Sequence, residues 1–197
     1  MMKQILFILF LLSSTACFSK TFDMKICQIN LPIGFESSLK REGNEFSIYA
    51  FSKNNDSSEV NTTIIIGIYN YGIKKPIITS KDIDKFTSDY LNDSIFSFES
   101  QYGKTLHLPK KTILVSGSFA LESSISGSIN GLEYSGKIIV KVWNDYVVTF
   151  SIIDAKNNFK SINELSKSVS DVSFNKQQLV VKESTKAIWE ILMDMVY

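Results

Sequence analysis

The sequence predicts an α+β domain: an antiparallel β-sheet with helices packed on both faces, an α/β/α sandwich. Three observations predict it. Residues 137–153 read as a β-hairpin, with Ile138, Ile139, Val140 and Val142 on one arm and Val147, Val148, Phe150, Ile152 and Ile153 on the other, around Asn144-Asp145. Asn130-Gly131, set between Ile129 and Leu132, is the pairing of residues that a two-residue hairpin turn favours, because both tolerate left-handed backbone angles. Two stretches with apolar residues at helical spacing stand ready to cover the sheet.

The two turns together fix a register. A two-residue turn at Asn130-Gly131 pairs Ile129 with Leu132, Gly127 with Tyr134, Leu121 with Val140 and Phe119 with Val142. Paired residues share a face. One face then carries Phe119, Leu121, Ile125, Ile129, Leu132, Tyr134, Ile138, Val140 and Val142, and the second turn adds Val147, Thr149 and Ile153. A slip of one residue would scatter this set. The opposite face is polar early, at Glu122, Ser124, Ser126 and Glu133. It becomes apolar later, at Ile139, Trp143, Tyr146, Val148, Phe150 and Ile152. The last strand is therefore expected to be buried on both sides.

Residues 1–19 read as a signal peptide. Lys3 is a minimal basic start, residues 5–12 are an unbroken apolar run too short to span a bilayer, and small residues follow. Residues 20–197 then form a single domain with its own core. Residues 22–31 read as one strand ending at Pro32, and the run to Phe35 as a turn with an aromatic anchor. Residues 45–52 alternate as a strand, with Phe46, Ile48 and Ala50 opposite Tyr49 and Phe51. Residues 54–56 read as a loop. Residues 62–71 are β-branched and apolar on both faces, which suits a central strand. Thr79 or Ser80 caps a helix whose stripe is Ile83, Phe86, Tyr90, Leu91, Ile95 and Phe98. Residues 102–108 and 112–116 are shorter strand candidates around Pro109. Phe159, Ile162, Leu165 and Val169 mark a helix over residues 157–170, which Phe174 ends. An extra C-terminal helix is expected over residues 184–196, apolar at Ala187, Ile188, Ile191, Leu192 and Met195.

The arrangement resembles the PsbP-like family, whose members include bacterial envelope lipoproteins of the DcrB type. The residues that carry it are Ile29-Asn30-Leu31-Pro32-Ile33-Gly34-Phe35, Phe46-Ser47-Ile48-Tyr49-Ala50, Tyr146-Val147-Val148-Thr149-Phe150 and Val169-Ser170-Asp171-Val172-Ser173-Phe174. The resemblance spans about residues 22–174. It implies an antiparallel sheet between helices and a mostly non-catalytic protein that docks on others or assists assemblies. It supplies no site residue.

Charge and composition exclude several classes. The 197 residues hold 21 basic and 20 acidic side chains, and residues 1–19 contain only Lys3 among them, so the remaining chain is formally neutral. Clustered positive charge for nucleic acid is missing, and so is steering towards an anionic membrane. His107 is the single histidine, so a site with two histidine ligands cannot be built within one chain. His107 sits between leucines beside Pro109 and no Gly-x-Ser-x-Gly elbow occurs, so a serine triad has no support. Gly117, Gly127, Gly131 and Gly136 fall among strands rather than opening a helix, which excludes a phosphate cradle. No catalytic, cofactor-binding or metal-binding residue is assigned. Cys27 reads as a small buried apolar residue. Cys17, after Ser14-Thr15-Ala16, stands where a lipoprotein box places its acylated cysteine, and is the candidate lipid-attachment residue. Cleavage after Ser19 is the alternative.

Trp143 and Tyr146 flank the hairpin turn and are the candidate contacts with a partner; the other reading is that they cap the core. Tyr69, Tyr71 and Tyr102 lie near expected strand ends. The function these readings favour is a non-enzymatic protein-binding module of the bacterial cell envelope, periplasmic or lipid-anchored. Its partner would be another envelope protein, in an immunity, inhibitor or assembly role. No cofactor, metal or nucleic acid is expected, and contact with the membrane is expected only through a lipid anchor. The alternative is a hydrolase acting on a cell-wall or glycan substrate through two carboxylates in a cleft. A carrier with an apolar cavity near Phe86 and Leu91 is a third, weaker reading.

Overall fold

A computed structural model describes residues 19–54, 60–70, 83–156 and 158–175. The signal segment with Cys17, the loop beyond Asn54, Tyr71, the cap at Thr79 or Ser80 and the helix expected over residues 184–196 lie outside the described residues.

The long meander follows the expected register. Strands β8 (Ser118–Ile129), β9 (Leu132–Trp143) and β10 (Tyr146–Ala155) are antiparallel neighbours. Ile129 pairs with Leu132, Gly127 with Tyr134 and Leu121 with Val140. Across the next turn Trp143 pairs with Tyr146 and Val140 with Thr149. Asn130 and Gly131 both have positive φ, 52° and 83°, the geometry that matches the right-handed twist of the strands. At the second turn only Asn144 is left-handed, at φ 52°.

Further strands extend the sheet on both sides. On one side lie β5 (Thr62–Asn70), β4 (Phe46–Lys53) and β3 (Glu36–Glu42). On the other lie β6 (Leu106–His107) and β7 (Lys111–Val115), both paired to β8. Strand β5 is central and apolar on both faces, as expected. Strand β3 was not anticipated. All seven of its residues are exposed, and a bulge between Ser37 and Leu39 interrupts its pairing. Charge and bulge together discourage further strand addition at this edge. Residues 22–31 are two strands rather than one: β1 (Ser19–Asp23) and β2 (Cys27–Pro32) form a hairpin in which Met24 N–H donates to the Cys27 carbonyl at 2.9 Å. Strand β11 (Ser173–Phe174) joins them in a separate three-stranded sheet.

Helix α1 (Ile83–Tyr102) buries Phe86, Tyr90, Leu91, Ile95 and Phe98. It continues through Tyr102, where a strand was expected to start. Its apolar side chains cluster with Leu121, Ile125, Tyr134, Ile138, Val140, Val147 and Ile153, the face built by the meander register. Phe86 and Leu91 are packed into this cluster, in the place where the carrier reading needed a cavity. Helix α2 (Phe159–Ser170) buries Ile162, Leu165 and Val169, while Phe159, expected in its stripe, opens the helix and is 59% exposed. These three cluster with the alternate residues of the meander, Ile139, Val148, Phe150 and Ile152, and with Cys27, Ile29 and Leu31 of β2. That cluster is closed by helix and small sheet together. What stands is a mostly antiparallel sheet with two helices.

Of three buried charged residues, Glu122 was expected on a polar face and the other two carry no expectation from the sequence. Glu122, placed on a polar face by the sequence, is 3% exposed and forms ion pairs with Lys111 at 2.9 Å and Lys137 at 3.4 Å. The lysines bring the compensating charge that a buried carboxylate needs. Asp154 is buried and joins β5, β10 and the start of α2. Thr62 Oγ1 donates to its Oδ2 at 2.8 Å, and Asn158 Nδ2 donates to the same oxygen at 3.0 Å. Lys141 is the third.

Candidate functional site

The hairpin end holds the candidate site. The two-residue turn places Trp143 and Tyr146 opposite each other at the tip of β9 and β10. Both are half-buried and pack against the α2-side cluster. Trp143 stacks on Phe174 of β11, with ring centroids 4.8 Å apart and planes 23° apart. Trp143 thus closes one end of the core while part of it and of Tyr146 stays open to solvent.

Beneath this stack lies a residue the sequence reading passed over. Lys141 is fully buried in β9, on the face of Ile139 and Trp143. Its Nζ donates to Ser118 Oγ at 2.5 Å, with the carbonyl oxygens of Ser118 and Phe119 at 3.4 Å. The Trp143 and Phe174 rings stand 5.7 and 5.8 Å from the nitrogen, within cation–π range. Among the described residues no carboxylate pairs with it. Burial disfavours the charged form and pushes the amine down to about 8. A signal for this site was present. The run Ile138 to Trp143 is apolar on both faces, so its one lysine had to be buried.

An amine of that kind can act as a nucleophile or base when a substrate reaches it. Here Ser118 and two aromatic rings surround it, and its side chain has no exposed surface. What it offers is a single positive charge held just under the surface.

The other sequence candidates lie elsewhere. His107 is exposed on β6 and lines a shallow groove of about 120 Å³ with Leu91, Asn92, Ile95, Leu108 and Lys110. The groove has no carboxylate in its lining, so it provides no acid–base pair for glycan cleavage. Cys27 is buried with its thiol pushed up to about 12 by burial, which makes it unreactive. Tyr69 is half-buried between Phe46 and Tyr90, and burial raises its hydroxyl. Among the described residues no group of three or more His, Cys, Asp or Glu side chains is placed to hold a metal ion. None of the described helices is long and apolar enough to cross a membrane.

Known structures share this fold. Cyanobacterial PsbP (CyanoP) from Synechocystis sp. PCC 6803 superimposes with a TM-score of 0.55 at 11% identity, covering 81% of this chain and 94% of that one. The Saccharomyces cerevisiae Ran-binding protein Mog1p gives 0.51 at 12% identity, covering 81% and 96%. A point mutant of Mog1 gives 0.50 at 12%, covering 80% and 96%. No family model matches the chain, and no curated protein matches it. The likeness establishes a PsbP- and Mog1-like fold, and at such identity it speaks for the fold alone.

Proposed function

We propose that this protein is a non-enzymatic protein-binding module of the bacterial cell envelope. Residues 1–19 direct its export, and the hairpin end docks on another envelope protein through Trp143 and Tyr146. The observation that carries the reading is the pair of half-open aromatic rings at the tip of the longest hairpin. They stand on a rigid two-sided core, as anchor residues of interfaces do. The fold supports it from outside, since one protein that shares it, Mog1p, is by name Ran-binding. The groove at His107 has no carboxylate in its lining, so it does not support the hydrolase reading at that place.

The test is capture from solubilised envelope by immobilised residues 20–197. Wild-type protein should retain a stoichiometric partner. Tyr146→Ser should lose it, whereas Leu39→Ser, on the exposed edge strand β3, should keep it. Recovery of no stoichiometric partner, or equal recovery by a folded Tyr146→Ser variant, would overturn the reading.

A further inference from the structure

A lysine with no exposed surface and, among the described residues, no counter-ion is costly to keep, and replacing it with an apolar residue would relieve that cost. Its surroundings are neutral: one hydroxyl, two carbonyl oxygens and two aromatic rings. Its cover, Phe174, is buried in the α2-side cluster yet sits at the end of a short segment. Phe174 belongs to a two-residue strand at the edge of the small sheet. It is held by pairing with Cys27, by the neighbouring pair Ser173 and Gln28, and by Asn175 N–H donating to the Ile26 carbonyl at 2.8 Å. Opening it breaks these few backbone bonds and the Trp143 stack, without unravelling the large sheet.

We propose that Lys141 is a concealed anion site, opened when Phe174 leaves its place against Trp143, and that it receives a carboxylate of the docked partner. The charge count selects the ligand. One ammonium among neutral groups balances one carboxylate, whereas a phosphate dianion would leave excess negative charge in a desolvated place. The aromatic rings then flank the ion pair and exclude water, which strengthens it. The partner as source of the carboxylate rests on the docking reading; the site itself is testable with no partner present.

The probe is sodium acetate, added to residues 20–197 carrying ¹³C-labelled lysine, with sodium chloride at equal ionic strength as control. Acetate should move the Lys141 Cε resonance saturably and raise its titration midpoint by about 1 pH unit or more, the effect of an opposite charge at close range. Chloride should not. Phe174→Leu keeps an apolar side chain in the core and should lower the half-saturating acetate concentration several-fold. Inorganic phosphate should bind more weakly than acetate. No saturable acetate effect in either wild type or Phe174→Leu would overturn the site, and tighter binding of phosphate would overturn the carboxylate assignment. Failure of the docking reading shows separately, in the capture experiment, whichever way acetate behaves.

Discussion

Lys141 sets a sign on the pH dependence of stability. The buried amine gives up its proton near pH 8, whereas an unhindered lysine keeps it to about 10.5. Between those values the unfolded chain holds more protons than the folded one, so this residue makes stability rise with pH. Cys27 works in the opposite direction above pH 9, since its thiol stays protonated in the fold up to about 12. The clean comparison is therefore wild type against Lys141→Met, which share Cys27. At pH 7 the variant should be more stable by on the order of 1–4 kcal/mol, the stabilising range found when buried ion pairs give way to well-packed apolar groups. As pH rises from 8 to 10 the gap between the two urea midpoints should close. A variant no more stable at pH 7, with the same pH slope as wild type, would show that the amine carries no such burden. The sequence held this residue in view without its meaning. Period-two alternation reports which face a residue occupies, and it took the packed structure to show that no acidic side chain among the described residues pairs with Lys141 there.

At the scale of elements, register was legible wherever a turn residue and alternation agreed. Asn130-Gly131 fixed the β8–β9 pairing because only a two-residue turn makes both faces coherent. Elsewhere one of the two signals was missing. Strand β3 has no buried residue, so no alternation marks it. The reversal between β1 and β2 uses Met24, Lys25 and Ile26, none of them turn formers, and Met24 and Ile26 are buried like strand residues. Ser116 and Gly117 turn β7 into β8 with φ of 52° and 71°, yet Ser-Gly reads as a weaker turn signal than Asn-Gly. The candidate site was legible in part: Trp143 and Tyr146 were readable from their place at a turn, whereas Phe174 over Trp143 is a contact between distant elements. Gly136 shows what pairing demands of a residue with no side chain. A Cβ there would stand 2.1 Å from the Ile152 carbonyl oxygen, a backbone atom inside the β9–β10 ladder. Gly136→Ala must push two paired strands apart, and should cost at least 1–3 kcal/mol by the measure of overpacked cores. A thermal melt within a degree of wild type would mean that the ladder yields more easily than a packed sheet should.

For the whole molecule, the two ends of the small sheet decide how the proposed docking and the proposed export would fit together. Ser19 pairs with Pro32 at one end of β2, and Phe174 pairs with Cys27 at the other. Five residues of strand separate them, roughly 17 Å at 3.3 Å per residue. On the proposed export reading, the cleaved end and the hairpin end lie at opposite ends of β2, so cleavage near residue 19 would leave Trp143 and Tyr146 clear of it. Under the proposed cleavage after Ser19, residues 20–23 would remain to pair with β2. An anchor at Cys17 would instead place the first strand about two residues, roughly 7 Å, from the bilayer surface. A formally neutral body gains no electrostatic hold on that surface, so the lipid alone would keep it there. We expect a mature chain that begins at Lys20, in the soluble fraction of the envelope, with no acyl group on its first residue. Intact-protein mass spectrometry reads this directly. A chain starting at Cys17 with bound acyl groups, recovered from membranes, would replace free diffusion with a tether, and would confine the partners of the hairpin end to those within reach of one membrane face.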